Sequence, residues 1–489
     1  MTEPWDRNEI TERIKPWVLD EYLTTYQREA WAWSTDRDGS NLWWACGSGK
    51  TLAGLLWLVS GHPDERKLIV TRAPAKVQWK CQASQYTELY PTVLSGFSSL
   101  LIPDDTECVI ISWEMLTHWL DSIEAWCAGR KLSIVWDEVH KGKAWRRKEK
   151  YVTFKGGVGW RYMDNRAAAA AQLSEMSSRR LGLTATPIRD RRGDLWAQLD
   201  LVQPGGWGKN IGFIKRYCDA VQNEWGGWDA SGMSNCAELQ ERLAQATHRV
   251  SYAEMSRDLP PKRRQLIYLT GEEQNKAVGF ISEYKKIRSS GKQAKFEMQL
   301  MEAAARKRAW LVETVSDLLL SGQKVTIFTG RRKDCEKLYA AIERKMKKTD
   351  IPVLSGHGGD SIKIRQELVK EYAELETACA FIGTTDAFGE AIDGLQNTDT
   401  VFFALLPYTP GQIVQAEGRF SRHGSTRPVL ISYVICEGTV DEHVADLLLS
   451  KLEAVEATLG DEEAGNVART LSGEDNEEAI IDQLLTIED

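Results

Sequence analysis

The sequence predicts an α/β protein of two lobes, each holding a mostly parallel sheet covered on both faces by helices. Three observations lead there. Short apolar, β-branched runs recur along the chain, longer stretches of helical periodicity separate them, and the alternation occurs twice, on either side of Pro260 and Pro261. In the first half the strand-like runs are residues 68–71 (LIVT), 109–112 (VIIS), 132–136 (LSIVW) and 181–184 (LGLT). In the second half they are 325–329 (VTIFT), 380–384 (AFIGT), 401–405 (VFFAL) and 430–434 (LISYV). Residues 334–348 (DCEKLYAAIERKMKK) typify the helices between them. The alanine run 167–171 reads as a helix interior. The join at 258–262 (DLPPK) cannot continue a helix, and a strand-like RQLIYLT and a long charged helical stretch, 272–320, follow it. The expected divisions are 1–257, 258–450 and an acidic tail, 451–489.

Composition bounds the function. With 489 residues the chain exceeds one ordinary domain, and 42% hydrophobic against 27% charged residues excludes a disordered or fibrous protein. The longest apolar run, 52–59, is well short of the ~18 residues of a membrane span. The first ten residues, MTEPWDRNEI, lack the apolar core of a secretory signal. The expected location is cytoplasmic. Nine cysteines form no CxxC pair and seven histidines no HExxH cluster, which argues against a zinc knuckle or a disulfide framework and leaves buried free thiols. The net charge of −8 excludes a generally sticky polycation, yet twelve acids against two bases in 451–489 leave the rest of the chain close to neutral, with room for a basic cleft. The tail reads as a solvated face, a handle for a protein partner or a mimic of nucleic-acid charge. Deleting it from about Gly460 is expected to leave turnover intact.

Three motifs carry chemistry. Residues 45–51 (ACGSGKT) lead into an apolar helical run. Gly47 and Gly49, with Ser48 between them, let backbone amides turn toward phosphate oxygens; Lys50 reaches the β- and γ-phosphates, and the Thr51 hydroxyl ligates Mg²⁺. Asp137 and Glu138 close the apolar run 132–136, at the end of a strand where open α/β sheets bind ligands. Asp137 would hold the Mg²⁺ and Glu138 would orient and deprotonate the attacking water. His140 completes DEVH, either linking this site to later motifs or lying on the surface. Residues 415–422 (QAEGRFSR) place Gln415, Arg419 and Arg422 together; on a helix the two arginines would share one face and neutralise charge developing on a γ-phosphate, or else form ordinary surface ion pairs.

Taken in order, these motifs resemble the superfamily 2 helicases and translocases of DEAD/DEAH-box type, most closely the Swi/Snf-like DNA translocases, over nearly the whole chain to about residue 450. YLTTYQREAWAW resembles the Q motif, with Gln27 as adenine reader; ACGSGKT resembles motif I, and Trp44 is compatible because this family usually lacks the first Walker glycine. LIVTRAPAKVQWK resembles motif Ia, VIISWEMLTHW the next DNA-facing motif and DEVH motif II. LGLTATPIRDRRGDLW resembles motif III, with Thr184 and Thr186 as coupling residues. KVTIFTGRR, GTTDAFGEAIDGLQNTDTVFF and QAEGRFSRHGS resemble motifs IV, V and VI, with Ala391 standing where motif V usually has glycine. The resemblance implies two tandem RecA-like P-loop NTPase lobes with mostly parallel sheets and small helical insertions, in a compact phage or bacterial type that would act in the host cytoplasm if phage-encoded.

It also implies ATP and Mg²⁺ as cofactors and a DNA strand running across both lobes. Arg72, Lys76, Ser112, Thr329, Arg331, Thr384 and Thr385 have the residue types that backbone phosphates need, and Trp113 is a candidate for base stacking, as is Trp145. Residues 141–150 (KGKAWRRKEK) are the richest basic patch, either a DNA-facing loop or a solvated turn. Trp43 and Trp44 read as packing the lobe or shielding the nucleotide. The expected function is an ATP-driven, monomeric motor on duplex DNA, held through backbone contacts, that remodels DNA or DNA–protein complexes. A strand-separating helicase and a nucleotide-gated DNA-binding module are the alternatives.

Overall fold

The computed structural model describes residues 12–45, 47–96, 101–142, 149–154, 157–162, 166–189, 191–222, 227–255, 259–270, 292–389, 394–421 and 425–472. The chain divides into two compact units, Met1–Ser251 and Tyr252–Asp489.

In the first unit the strands are β1 (Gly39–Trp44), β2 (Arg66–Thr71), β3 (Thr92–Val93), β4 (Cys108–Ser112), β5 (Leu132–Asp137), β6 (Glu149–Phe154), β7 (Gly157–Tyr162), β8 (Arg179–Thr184), β9 (Val221–Gln222), β10 (Trp228–Asp229) and β11 (Thr247–Val250). Seven of them form one sheet in the order β11-β1-β8-β5-β2-β4-β3, every pairing parallel. The helices are α1 (Thr25–Thr35), α2 (Lys50–Val59), α3 (Lys76–Tyr86), α4 (Leu116–Cys127), α5 (Arg166–Met176), α6 (Asp194–Val202), α7 (Asn210–Tyr217) and α8 (Cys236–Ala246). Two antiparallel hairpins, β6–β7 and β9–β10, stand outside the main sheet.

The second unit repeats the plan with β12 (Lys262–Leu269), β13 (Lys324–Thr329), β14 (Val353–Gly356), β15 (Cys379–Thr384), β16 (Thr400–Phe403) and β17 (Val429–Cys436), all parallel in the order β12-β17-β16-β13-β15-β14. Around it lie α9 (Lys292–Leu320), α10 (Arg332–Met346), α11 (Ile362–Glu374), α12 (Pro410–Glu417), α13 (Val440–Leu459) and α14 (Glu462–Ser472).

The sheets are parallel because helices connect the strands and bury both faces, so central strands carry apolar residues without alternation. Every residue of β2, β4, β13 and β15 is buried. α2 is buried along its length from Leu52 to Val59, as a helix that is apolar all round must be. In α5 the alanines Ala169 and Ala170 lie in the core with Trp113, Trp119 and Trp136, their small side chains leaving room for the large rings. No helix among the described residues is long and apolar enough to cross a membrane.

Three expectations are corrected. The first unit ends at Ser251, not at 257, because β11 pairs with β1 and completes its sheet. The boundary at 450 falls inside α13. The tail contains a packed helix: α14 buries Ala464, Val467, Ala468 and Leu471, and its Glu463 is ion-paired with Lys262 and Arg264 of β12, while residues 473–489 lie outside the described residues. A deletion from Gly460 would therefore remove part of the second unit.

Candidate functional site

The carboxyl ends of four neighbouring strands, β1, β8, β5 and β2, carry the site. Trp43 lies opposite Thr184, Leu183 opposite Asp137, and Trp136 opposite Val70, so the phosphate-binding loop, the coupling threonine and the paired carboxylates share one sheet edge. This is the edge at which parallel α/β sheets bind ligands.

Gly47 and Gly49 have φ of +83° and +81°, and a Cβ on Gly49 would lie 2.4 Å from the Gln27 Nε2. Glycine meets both demands, the left-handed backbone and the close approach. Lys50 opens α2, and its Nζ donates to the carbonyls of Trp44 and Ala45, both at 3.0 Å. The cation is thus folded over its own loop, beside the first turn of the helix, where backbone N–H groups favour anions. Ser48 is buried, and its Oγ has no hydrogen-bond partner among the described residues. Two side chains of α1 pin the loop: Tyr26 and Gln27 donate to the Ser48 carbonyl at 2.9 and 3.0 Å. The Gln27 Oε1 accepts from the Thr24 amide at 3.1 Å, closing a capping box that fixes where α1 starts. Trp44 is fully buried, its Nε1 donating to the His248 Nδ1 at 3.2 Å, and Trp43 packs under Arg249; both are packing residues.

The two carboxylates at the end of β5 meet different surroundings. Asp137 Oδ2 accepts from Thr71 Oγ1 at 2.5 Å and from Trp79 Nε1 at 2.9 Å. Burial, and then the charge of Glu138, pushes its carboxyl up to about 6. Glu138 adopts φ +53°, a left-handed conformation that is costly for a residue with a Cβ and is found where a site needs a particular aim. Its Oε2 accepts from Thr184 Oγ1 at 3.3 Å and lies 3.3 Å from His140 Nδ1. His140 Nδ1 and Thr184 Oγ1 share a hydrogen bond at 3.0 Å, and Thr184 Oγ1 accepts the Thr186 amide at 3.1 Å. His140 is only 2% exposed, so the surface alternative falls. Buried His140, Thr184 and Thr186 form one network with the half-buried Glu138. Sequence reasoning missed Thr71 and Trp79, and nothing in a single chain of letters pairs them with Asp137.

The proposed nucleic-acid contacts of Trp113, Ser112, Thr329, Thr384 and Thr385 are corrected, whereas Arg72, Lys76 and Arg331 keep partial exposure. Trp113 is fully buried, stacks on Trp136 with ring centroids 5.3 Å apart, and donates to the Asp137 carbonyl at 2.8 Å; it braces the site from below and is out of reach of a base. Ser112, Thr329, Thr384 and Thr385 are buried as well. The Thr329 hydroxyl donates to the Gly383 carbonyl at 3.3 Å and that of Thr385 to the Thr329 carbonyl at 3.4 Å, so these two tie β13 to the end of β15. Arg72, Lys76 and Arg331 are half-buried. Lys76 Nζ donates to the Leu94 carbonyl and to Ser95 Oγ, both at 2.9 Å; Arg331 Nε donates to Asp334 at 2.8 Å.

In the second unit Gln415 is buried in α12. That helix ends at Glu417, so Arg419 sits in the following turn, its Nε donating to the Gly389 carbonyl at 3.3 Å. Arg419 is therefore not within a helix, and the helix face it was expected to share with Arg422 involves a residue outside the described ones. Arg422, Ala391, Trp145 and most of the basic patch lie outside the described residues.

Glu417, fully buried, is gripped by Arg264 at 2.8 Å, by Lys262 at 3.2 Å and by the Tyr433 hydroxyl, while Arg264 and Lys262 both reach Glu463 of α14. Burial alone would raise the Glu417 carboxyl, but Arg264 and Lys262 hold it down to about 2. A depressed carboxyl contributes stability above its unfolded value and loses it as pH falls toward the folded one. The melting temperature lost on Glu417→Gln should therefore be largest near neutral pH and shrink between about 4.5 and about 2. Melts of both proteins across that range check this; a pH-independent difference would count against it.

The loop, the strand-end carboxylates and the repeated parallel sheet define the class: a P-loop protein of two RecA-like units. Two family models match, the SNF2-related domain over residues 161–314 and the helicase conserved C-terminal domain over 307–424. Among curated proteins, the chain is 29% identical over 305 residues to the Xenopus tropicalis SWI/SNF-related matrix-associated actin-dependent regulator of chromatin subfamily A-like protein 1, covering 59% of this chain and 31% of that one. It is 27% identical over 316 residues to the Mus musculus DNA annealing helicase and endonuclease ZRANB3, covering 61% and 29%. The chain thus spans about a third of the length of these relatives. Among solved structures, the DUF1998 helicase MrfA bound to DNA is similar in fold, with a TM-score of 0.53 and 15% identity over 91% of this chain and 53% of that one. Over residues 161–424 the chain is therefore similar to the SNF2-related and helicase C-terminal families of the Swi/Snf-like superfamily 2 helicases.

Proposed function

We propose that the chain is a DNA-stimulated ATPase that moves along duplex DNA and remodels DNA or DNA–protein complexes. The observation that carries this reading is the sheet edge of the first unit, where Lys50, Asp137 and the Glu138–His140–Thr184 network sit on four adjacent strand ends. The names of the relatives, a chromatin regulator and a DNA annealing helicase, support DNA as the track.

The residues present fit a nucleotide with Mg²⁺. The Ser48 hydroxyl lacks a partner in a loop of left-handed glycines. The Asp137 carboxylate and the half-buried Thr51 hydroxyl are the oxygen donors such a hard cation takes, a partial set that phosphates and water complete. When bound, Mg²⁺ neutralises charge on the phosphates. The chain's own residues do the rest. Lys50 exchanges its two loop carbonyls for phosphate oxygens. Glu138 orients the attacking water and takes its proton, held in aim by Thr184 and His140. Thr186 bonds to Thr184 through its backbone amide, so a shift of the segment after β8 alters that aim. Lys50→Ala should weaken nucleotide binding about ten- to a hundredfold, the worth of a charge-assisted contact, as measured by titration calorimetry.

The decisive experiment is the ATPase rate with no nucleic acid, single-stranded DNA, blunt duplex and RNA at one moderate salt concentration. Blunt duplex stimulating above single strand is the expected result. Stimulation mainly by single strand would favour a strand-separating helicase. One observation favours that second reading: the hairpin β6–β7 stands apart from the main sheet between motifs II and III, with Lys150 paired to Arg161 and Tyr151 to Trp160 in its register. No turnover with any of them would overturn both.

A further inference from the structure

Two donors converge on one oxygen of the site. Thr71, the last residue of β2, and Trp79, in the first turn of α3, both hydrogen-bond to Asp137 Oδ2, at 2.5 and 2.9 Å. Both belong to the segment resembling motif Ia, and between them lie the half-buried cations Arg72 and Lys76. A buried indole N–H needs an acceptor, and many would serve. Here the acceptor is the site carboxylate itself, on a strand that pairs directly with β2. The ring is fixed as well as the N–H. Trp79 is 1% exposed and lies against α2, where a Cβ on Gly54 would come within 2.9 Å of its Cη2. The indole therefore touches the helix that opens with Lys50 and the carboxylate of Asp137 at once, from a helix whose first residue is Lys76.

Resting on the reading above, we propose that Trp79 is a positioning residue that couples DNA contact at Arg72 and Lys76 to the Asp137 carboxylate, with Thr71 as its partner donor. A phosphate drawing on those two cations moves the start of α3 and the end of β2, and both donors to Oδ2 move with them. Charge-assisted hydrogen bonds are strongly directional, so a small shift re-aims the carboxylate. By linkage the effect runs both ways: nucleotide held at Asp137 changes the affinity for DNA by the factor with which DNA changes the affinity for nucleotide.

The test measures that factor without turnover. Binding of a fluorescent blunt duplex is titrated with and without a non-hydrolysable ATP analogue plus Mg²⁺, for wild type, Trp79→Phe and Thr71→Val. Trp79→Phe keeps an aromatic ring beside Gly54 and removes the N–H; Thr71→Val keeps the shape and removes the hydroxyl. Coupling factors of roughly 5 to 150 are usual, and each variant is expected to lower the wild-type factor several-fold while the affinity for duplex without nucleotide stays as in wild type. A purely structural role would lower stability, or both affinities together, and leave the ratio unchanged; that outcome in either folded variant overturns the proposal. If Trp79→Phe fails to fold, Thr71→Val decides alone. A wild-type protein that binds no duplex overturns the functional reading, and this inference with it; one that binds duplex with a factor of one overturns the inference only.

Discussion

Glu138→Gln is expected to bind nucleotide as the wild type does and to turn it over about a hundred to ten thousand times more slowly, the usual contribution of a positioned proton acceptor. The substitution preserves shape, and the amide oxygen can still accept from Thr184 Oγ1, so the network at the end of β8 survives. What disappears is the negative charge and the site for the water's proton. The left-handed backbone at Glu138 belongs to the main chain and stays, so the side chain keeps its direction. Loss of the charge also removes one of the two causes that raise the Asp137 carboxyl. Nucleotide affinity by calorimetry and single-turnover phosphate release measure the two halves of the expectation. Turnover near the wild-type rate would remove Glu138 from the chemistry, and lost binding would make it structural.

Arg264→Ala is expected to destabilise the second unit by about 3–5 kcal/mol, the range for breaking a buried ion pair from one side. Glu417 is fully buried, and Arg264 bonds to it through both Nε and Nη2, at 3.1 and 2.8 Å. Without the guanidinium, Lys262 alone would face two carboxylates, those of Glu417 and Glu463. Urea unfolding of wild type and variant measures the difference. A loss under 1 kcal/mol, the range of exposed pairs, would mean that water reaches the cluster. Because Glu417 immediately precedes the turn that carries Arg419, the same variant should also loosen that turn. A chain ending at Gly460 should share much of the Arg264→Ala deficit, because it lacks Glu463 of α14.

Much of this architecture was legible in the sequence, for a definite reason. Strands buried on both faces are rich in Val, Ile, Leu and Phe without the alternation of a one-sided strand, so all eight strand-like runs fall on strands of the two main sheets. The phosphate loop and the strand-end carboxylates were legible because their chemistry demands particular residues at fixed spacing. β1 was missed although it feeds the phosphate loop: GSNLWW has no β-branched residue and is held by burial of Leu42, Trp43 and Trp44. The charge count hid α14, since the acids of the tail masked the spacing of Ala464, Val467, Ala468 and Leu471, a helical stripe that was there to be read. The DNA-contact assignments fared worst. Serine and threonine hydroxyls suit phosphates and neighbouring carbonyls equally well, and only three-dimensional placement shows that Thr329 and Thr385 are spent on carbonyls of the sheet.

The pairing of β12 with β17 has a consequence for how the protein is made. Synthesis runs from the amino terminus, and the strand that begins at Lys262 has to wait for the one that begins at Val429. During that wait its backbone is an open edge, the kind of surface on which nascent chains aggregate, and β12 remains the terminal strand of the finished sheet. It opens with Lys262, Arg263 and Arg264, a positive run that discourages like strands from docking. Two of these cations are later drawn inside by Glu417 and Glu463, the latter among the last described residues to leave the ribosome. The charges that keep the emerging edge soluble are thus the ones that lock the second unit shut when α14 arrives.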